Sequence, residues 1–280
     1  MPDGAPKGFV VGHPITHSRS PLIHGHWLRE YGLAGNYERI DVRPEAFASF
    51  LEGLAGEGYA GGNVTLPHKE AAFALVNRRD AAAEAIGAVN TIWLEDGELH
   101  GSNTDAYGFA ANLDEQTPNW RKGRRVCVLG AGGAARSILH AVMEAGYTDI
   151  RVVNRNVQRA ASLAARFGTT IQPSGWEDID GAIAEADLLV NTTSLGMGGS
   201  PFPELDLGLL DRDAIVTDIV YSPLETTLLR RAAAAGFPTV DGLGMLLHQA
   251  VPAFERFFGK RPAVTPELRQ MIVDDLGDAA

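Results

Sequence analysis

The chain has 280 residues, 45% hydrophobic and 21% charged, with 24 basic against 35 acidic side chains and a formal charge of −11. That length buries a core without cross-links, in one large domain or two ordinary ones. The acidic excess is spread evenly and no basic block interrupts it, which excludes a nucleic-acid groove or a polybasic membrane patch. Any anionic ligand has to be held by a few local cations or by backbone amides, against the overall field.

Short apolar runs alternate with helical patterns along the chain. Strands are expected over 9–11, 37–40, 61–64 and 89–93, with helices over 21–31 and 45–54 between them. A polar stretch carrying Pro118 and Gly123, residues 117–124, marks a break. Beyond it come strands over 126–129, 150–153, 188–190 and 215–218, and helices over 134–145, 158–167 and 226–235. Two helical segments, 242–258 and 266–276, close the chain. Strand–helix alternation of this kind implies α/β architecture with parallel sheets covered on both faces. Cys127 is the one cysteine and lies in an apolar run, where a buried, inert thiol is expected. Met1-Pro2-Asp3-Gly4 has neither a basic nor an apolar leader segment, and no stretch of about 18 residues is continuously apolar. A cytoplasmic location follows as the expectation.

The clearest motif follows the strand at 126–129. Gly130-Ala131-Gly132-Gly133-Ala134-Ala135 opens an amphipathic helix, which is the G-x-G-x-x-A dinucleotide fingerprint in its required setting. Gly130 permits the tight turn, Gly132 lets the backbone approach a pyrophosphate, and Ala135 lets helix and strand pack closely. The amides of the helix N-terminus then hold phosphate without net positive charge. The next strand decides the cofactor. An NAD site puts a carboxylate at that strand's carboxyl end, whereas Asp149 stands at its beginning. The carboxyl end instead offers Asn154-Arg155-Asn156, with Arg159 one turn on, and both arginines suit a 2′-phosphate. NADP is therefore the expected cofactor.

In the first half, polar segments fall at strand ends or turns: residues 13–21, 63–69, 87–91 and 103–105. Their hydroxyls and amides, with one Lys and one Asp, suit a small polyhydroxylated acid. Each has a structural reading as well, since Ser20-Pro21 makes a good helix start and Asp105 a good cap. The histidines His13, His17, His24, His26 and His68 crowd this half, but no metal-ligand spacing accompanies them and none is expected to hold a metal. His68 is read as a packing residue.

Taken in order, these segments resemble the shikimate dehydrogenase family. The serine pair, Asn63-Val64-Thr65-x-Pro67-x-Lys69, Gly87-Ala88-Val89-Asn90-Thr91, Asn103-Thr104-Asp105, the glycine loop, Asn154-Arg155, the segment 191–197, the segment 218–223 and Asp241-Gly242-Leu243-Gly244-Met245-Leu246-x-x-Gln249 all stand in the family's order, from about Gly8 to Gly259. The resemblance implies NADP-linked interconversion of 3-dehydroshikimate and shikimate, on the route to the aromatic amino acids. It implies an N-terminal substrate domain with a mostly parallel sheet, 1–105 completed by 241–280, a Rossmann-type NADP domain over 106–240, and a cleft between them. Carried over by motif position, Ser18 and Ser20 hold the substrate carboxylate, and Thr65, Asn90, Tyr221 and Gln249 contact its hydroxyls or carboxylate. Lys69 and Asp105 are the catalytic pair. Gly130, Ala131, Gly132, Gly133, Ala134, Asn154, Arg155, Asn156, Arg159, Ile219 and Gly242 are the cofactor contacts, the last two at the nicotinamide end. The partner is the small-molecule substrate, with a homodimer allowed.

The chain departs from the family's habit at Asn156, where Thr is frequent, and at Ala106, where Gly is usual. Ser20 favours shikimate over quinate, because quinate-using relatives often carry Thr there. Three other readings compete: a broader NAD(P)-dependent quinate/shikimate dehydrogenase, a non-catalytic NADP sensor, which would have lost Lys69 or Asp105, and a methylene-tetrahydrofolate dehydrogenase-like enzyme, which gives no reason for the serine pair.

Overall fold

The computed structural model describes residues 5–278, so the N-terminal tetrapeptide lies outside it. The chain divides into two compact units. One runs up to Thr104 and resumes at Leu247; the other is Asp105–Leu246. Among the described residues no helix is long and apolar enough to cross a membrane.

The first unit contains β1 (Lys7–Gly12), α1 (Ser20–Glu30), β2 (Asn36–Asp41), α2 (Phe47–Gly53), β3 (Tyr59–Val64), α3 (Lys69–Leu75), β4 (Arg78–Arg79), α4 (Ala81–Ile86), β5 (Thr91–Glu95) and β6 (Glu98–Ser102). Its sheet has the order β2-β1-β3-β5-β6-β4. β1 is parallel to β2 and β3, and β4 to β6, while β5 is antiparallel to both β3 and β6. The sheet is thus mostly parallel, and the exception has a local cause. Asp96 and Gly97 both take positive φ, 52° and 79°, which is the backbone of a two-residue hairpin turn between β5 and β6. β6 carries Glu, His and Ser, so apolar content alone does not reveal it; the Asp-Gly pair does.

The second unit begins with α5 (Asp105–Gln116) and continues through β7 (Arg125–Leu129), α6 (Gly133–Glu144), β8 (Asp149–Val153), α7 (Val157–Phe167), β9 (Ile171–Ser174), α8 (Ile179–Ile183), β10 (Leu188–Asn191), β11 (Ile215–Asp218), α9 (Thr227–Ala234) and β12 (Thr239–Val240). Its sheet is parallel throughout, in the order β12-β11-β10-β7-β8-β9. That is the doubly wound Rossmann order, which reverses between β7 and β10. β7 is buried from Val126 to Leu129, as a central parallel strand must be. Burial pushes the Cys127 thiol up to about 12. α6 buries Ala135, Ile138, Leu139 and Val142, an i, i+3, i+4, i+7 stripe turned to the sheet. Pro173 is tolerated in β9 because β9 is an edge strand. The 117–124 stretch lies inside this unit, not at its border, because α5 packs against α6.

α10 (Leu243–Phe258) carries the chain from the second unit back to the first, and α11 (Pro266–Asp278) follows. Ala253 and Phe257 of α10 pack with Val10, Ile15 and Tyr37, so the returning helix completes the first core. The Trp27 indole N–H donates to the Ala263 carbonyl at 2.9 Å, and the Ala263 N–H donates to the Tyr31 hydroxyl at 3.1 Å. The tail is therefore stitched to α1.

His24 of α1 is fully buried in that region. Its ring stacks on Tyr37 at 3.9 Å and 7°, with Trp27, Phe254, Phe257 and Phe258 around it. Neither ring nitrogen has a hydrogen-bond partner. Burial therefore depresses its pKa from 6.5 to about 3. The unfolded chain binds the proton first, so stability from this residue is complete above about pH 6.5. It falls by up to about 1.4 kcal/mol per pH unit between there and about pH 3. Urea unfolding at a series of pH values is expected to show a shallower acid-side loss in His24→Phe than in the wild type, with little cost at neutral pH. Parallel pH profiles for the two proteins would refute this account.

Candidate active site

The loop after β1 presents the serine pair. Ser18 Oγ accepts from the Ser20 N–H and lies 3.3 Å from Ser20 Oγ. Ser20 is the first residue of α1 and its cap is Arg19, so neither serine hydroxyl is used as a helix cap; the expected capping role falls away. Two arginines hold this loop from outside. Arg39, at the carboxyl end of β2, donates from Nε and Nη2 to the Ser18 carbonyl at 2.9 and 2.6 Å. Arg19 donates to the His17 carbonyl at 2.7 Å and from Nε to Asp275 of α11 at 2.8 Å. Two N–H groups of Arg39 converging on one carbonyl, and Arg19 bridging the loop to α11, set orientation as well as distance. Sequence reasoning missed Arg39; its signal is the period-two alternation that puts it on the face of buried Tyr37.

The carboxyl end of β3 and the amino end of its antiparallel neighbour β5 carry a buried polar ladder. The Tyr37 hydroxyl donates to Asn63 Oδ1 at 2.7 Å, and Asn63 Nδ2 donates to the Asn90 carbonyl and to Thr91 Oγ1 at 3.2 and 3.1 Å. Thr91 donates to Asn90 Oδ1, which also accepts from the Thr104 N–H, and Asn90 Nδ2 donates to Thr104 Oγ1. Thr65 leaves β3 with its N–H on the Val11 carbonyl, and Lys69 heads α3 with its carbonyl accepting from Val89 N–H. The structure thus brings Thr65, Lys69 and Asn90 onto one braced framework. His68, the residue before α3, stacks on Phe47 at 4.3 Å and its Nε2 lies 2.6 Å from the Val42 carbonyl, a packing role. His24 is buried, whereas His26 faces Glu30 at 3.4 Å, so the two share no site. Gln249 lies half-buried on α10.

In the second unit Asp105 is the buried first residue of α5. Gly130 sits at φ +105°, and a Cβ there would meet Thr192 Oγ1 at 2.7 Å; the turn requires glycine. Gly132 and Gly133 are exposed at the start of α6 and no side chain caps it, while Ala135 is buried. Ala131 and Ala134 flank that turn, half-buried. This bare helix start at the carboxyl end of β7, beside the strand-order reversal, suits a pyrophosphate.

At the end of β8, Asn154 Nδ2 donates to the Asn156 carbonyl and Asn156 Oδ1 caps α7 through Gln158 N–H. Asn156 therefore has a structural task, one that a Thr could also perform. Arg155 and Arg159 are exposed beside it. Asp149 stands at the opposite end of β8, where it accepts from Arg125 Nε at 2.6 Å. Ile219 and Tyr221 follow β11, half-buried, and a Cβ on Gly242 would collide with the Ile219 carbonyl. Asp218, at the end of β11, opens the 218–223 motif, and motif position alone gives it no role.

Three family models match segments of the chain: the shikimate dehydrogenase substrate binding domain over 10–92, shikimate / quinate 5-dehydrogenase over 113–196, and the shikimate 5′-dehydrogenase C-terminal domain over 242–266. The NADP(+) shikimate dehydrogenase of Brucella melitensis is 56% identical over 98% of this chain and 96% of its own. That of Mesorhizobium japonicum is 57% identical over 99% of each. Among solved structures, shikimate 5-dehydrogenase from Thermus thermophilus, in complex with NADP(H) and shikimate, is 38% identical with a TM-score of 0.84, covering 97% of this chain and 99% of that one. Quinate dehydrogenase from Corynebacterium glutamicum, in complex with NAD, is 32% identical with a TM-score of 0.89, covering 96% and 99%. With its motif order intact, and more than half of its residues shared with the Brucella and Mesorhizobium enzymes from end to end, the chain belongs to the shikimate dehydrogenase family.

Proposed function

We propose that this protein is an NADP-dependent shikimate dehydrogenase that reversibly reduces 3-dehydroshikimate to shikimate, a step of aromatic amino-acid biosynthesis. One observation carries the reading. Identity of 56–57% to NADP-linked shikimate dehydrogenases over nearly the full length accompanies a serine pair, Lys69 and Asp105 standing where the elements begin or end.

The cofactor fits the residues present. The amides over Gly130, Ala131, Gly132, Gly133 and Ala134 hold the pyrophosphate, and Asn154, Arg155, Asn156 and Arg159 surround the 2′-phosphate. Ile219 and Gly242 line the nicotinamide end. Bound NADPH supplies the hydride for the ketone carbon. Ser18 and Ser20 donate to the substrate carboxylate, and Thr65, Asn90, Tyr221 and Gln249 hold the ring hydroxyls or carboxylate. Lys69 Nζ, as the ammonium, stabilises the negative charge that develops on the ketone oxygen and gives it a proton; in oxidation the neutral amine takes that proton back. The Asp105 carboxylate accepts from the neighbouring hydroxyl and orients the ring. Most of these substrate residues belong to the first unit, whereas Asp105, Tyr221 and the cofactor residues belong to the second. A cytoplasmic location and a homodimer belong to the same proposal, with the buried thiol of Cys127 in keeping with a reducing compartment.

The quinate reading has one observation in its favour, the TM-score of 0.89 to a quinate dehydrogenase. Backbone likeness reports the fold, whereas Ser20 and the higher identity to the shikimate enzymes report the site. Initial rates with shikimate and with quinate, each with NADP and NAD, are expected to be highest for shikimate with NADP. A preference for quinate with NAD would overturn the assignment.

Lys69→Ala is expected to lower kcat by about 10²–10⁴-fold with KM for shikimate within a few-fold. Near-normal turnover would remove Lys69 from the chemistry. Arg155→Gln is expected to raise KM for NADP by about tenfold or more while leaving that for NAD unchanged, since only NADP carries the 2′-phosphate. Equal effects on both cofactors would reject this role.

A further inference from the structure

The second sheet ends in a buried network that none of these roles uses. β10 and β11 are parallel neighbours whose last residues, Asn191 and Asp218, stand opposite one another in register. Both are fully buried. Asp218 Oδ1 accepts from Asn191 Nδ2 at 2.9 Å and from Val220 N–H at 3.0 Å, and Oδ2 accepts from Thr226 Oγ1 at 2.8 Å. All three partners donate, so the ionised carboxylate is matched to its surroundings. An amide would keep two of these bonds only by forcing the Thr226 hydroxyl, which already accepts from Leu229 N–H, to turn its proton away. Burial pushes this carboxyl above the ordinary carboxylate range, and the three hydrogen bonds oppose that push.

Asn191 extends the network. Its Oδ1 accepts from Thr193 N–H and Oγ1 at 3.0 and 2.7 Å, and its Nδ2 reaches the Leu195 carbonyl at 3.2 Å. One carboxylate therefore organises both segments that leave the sheet on this side of β7, the turn at 191–195 and the stretch at 219–221. In a doubly wound sheet the dinucleotide lies across the carboxyl ends of the strands, one mononucleotide half on each side of the order reversal. Arg155, beyond β8, marks the adenosine side. The other half belongs over β10 and β11.

We propose that Asp218 is a positioning residue for the nicotinamide half of the cofactor, tying Val220 and Asn191 together so that the Ile219 stretch is held in place. The inference rests on the cofactor assignment made above. The experiment keeps the two apart with adenosine 2′,5′-bisphosphate, which carries the phosphorylated adenosine half alone. Wild type and Asp218→Asn are titrated with NADPH by nucleotide fluorescence and with the bisphosphate by calorimetry. The substitution removes the negative charge and turns an amide NH2 toward the Thr226 hydroxyl, which must then give up its donor bond. The Kd for NADPH is therefore expected to rise about tenfold or more, a loss of about 1.4 kcal/mol. The Kd for the bisphosphate is expected to stay within about twofold. Equal weakening of both, or unchanged NADPH affinity, would overturn the proposal. If the wild type failed to bind the bisphosphate, the cofactor assignment would fall and take the proposal with it. Should Asp218→Asn not fold, Thr226→Val retains the carboxylate and removes one donor. It is expected to give the same split at about threefold, and an equal loss for both ligands would again be fatal.

Discussion

A polar side chain buried at the end of a strand has to find its partner inside the protein, and both units are organised around that requirement. Leaving such a group unpaired costs about 1–3 kcal/mol, comparable with what burying one large apolar side chain contributes. In the first sheet Asn63, Asn90, Thr91 and Thr104 satisfy one another. In the second, Asn191, Asp218 and Thr226 do so, while Thr192 donates to the Leu129 carbonyl. Because each partner sits on a different strand or loop, pairing them fixes where the chain leaves the sheet. Asn90, proposed as a substrate contact, belongs to the first of these layers, and Thr65 and Ile219, proposed as substrate and cofactor contacts, follow directly on strands that end in them. His24 is the counterexample: it has no hydrogen-bond partner, and it is stable only because it stays neutral.

The same economy governs charge. With 35 acidic against 24 basic side chains, the surface as a whole does not attract anions. Several arginines are already committed to carboxylates: Arg19 to Asp275, Arg121 to Asp114, Arg125 and Arg151 to Asp149. Others act on the backbone, as Arg39 does at Ser18. In the proposed function, anion recognition falls to serine hydroxyls, helix amides and the two arginines after β8. These are short-range donors, which discriminate by geometry more than by net attraction.

Much of this is legible in the residues. The alternation of apolar runs predicts the main strands, and the glycine fingerprint with arginine after the next strand marks the dinucleotide turn and its phosphate preference. The misses have separate physical causes. β6 lacks apolar content and is made by the turn before it, so only Asp96-Gly97 betrays it. The structural alternative for Ser20, a helix cap favoured by Ser-Pro, falls away because Arg19 takes that place. Arg39 and Asp218 act through contacts that form only when strands are neighbours, at separations of 21 and 27 residues, and no local spacing encodes a register.

The route of the chain has a consequence for synthesis. The core around Val10, Ile15 and Tyr37 is closed by Ala253 and Phe257, nearly the whole chain later. The unit Asp105–Leu246 is contiguous. On a ribosome, where chains fold as they emerge, the middle of this protein completes itself while the segment made first still waits for the segment made last. During that interval the exposed face of β1 and α1 is the nascent chain's aggregation-prone surface, and α10 is what retires it.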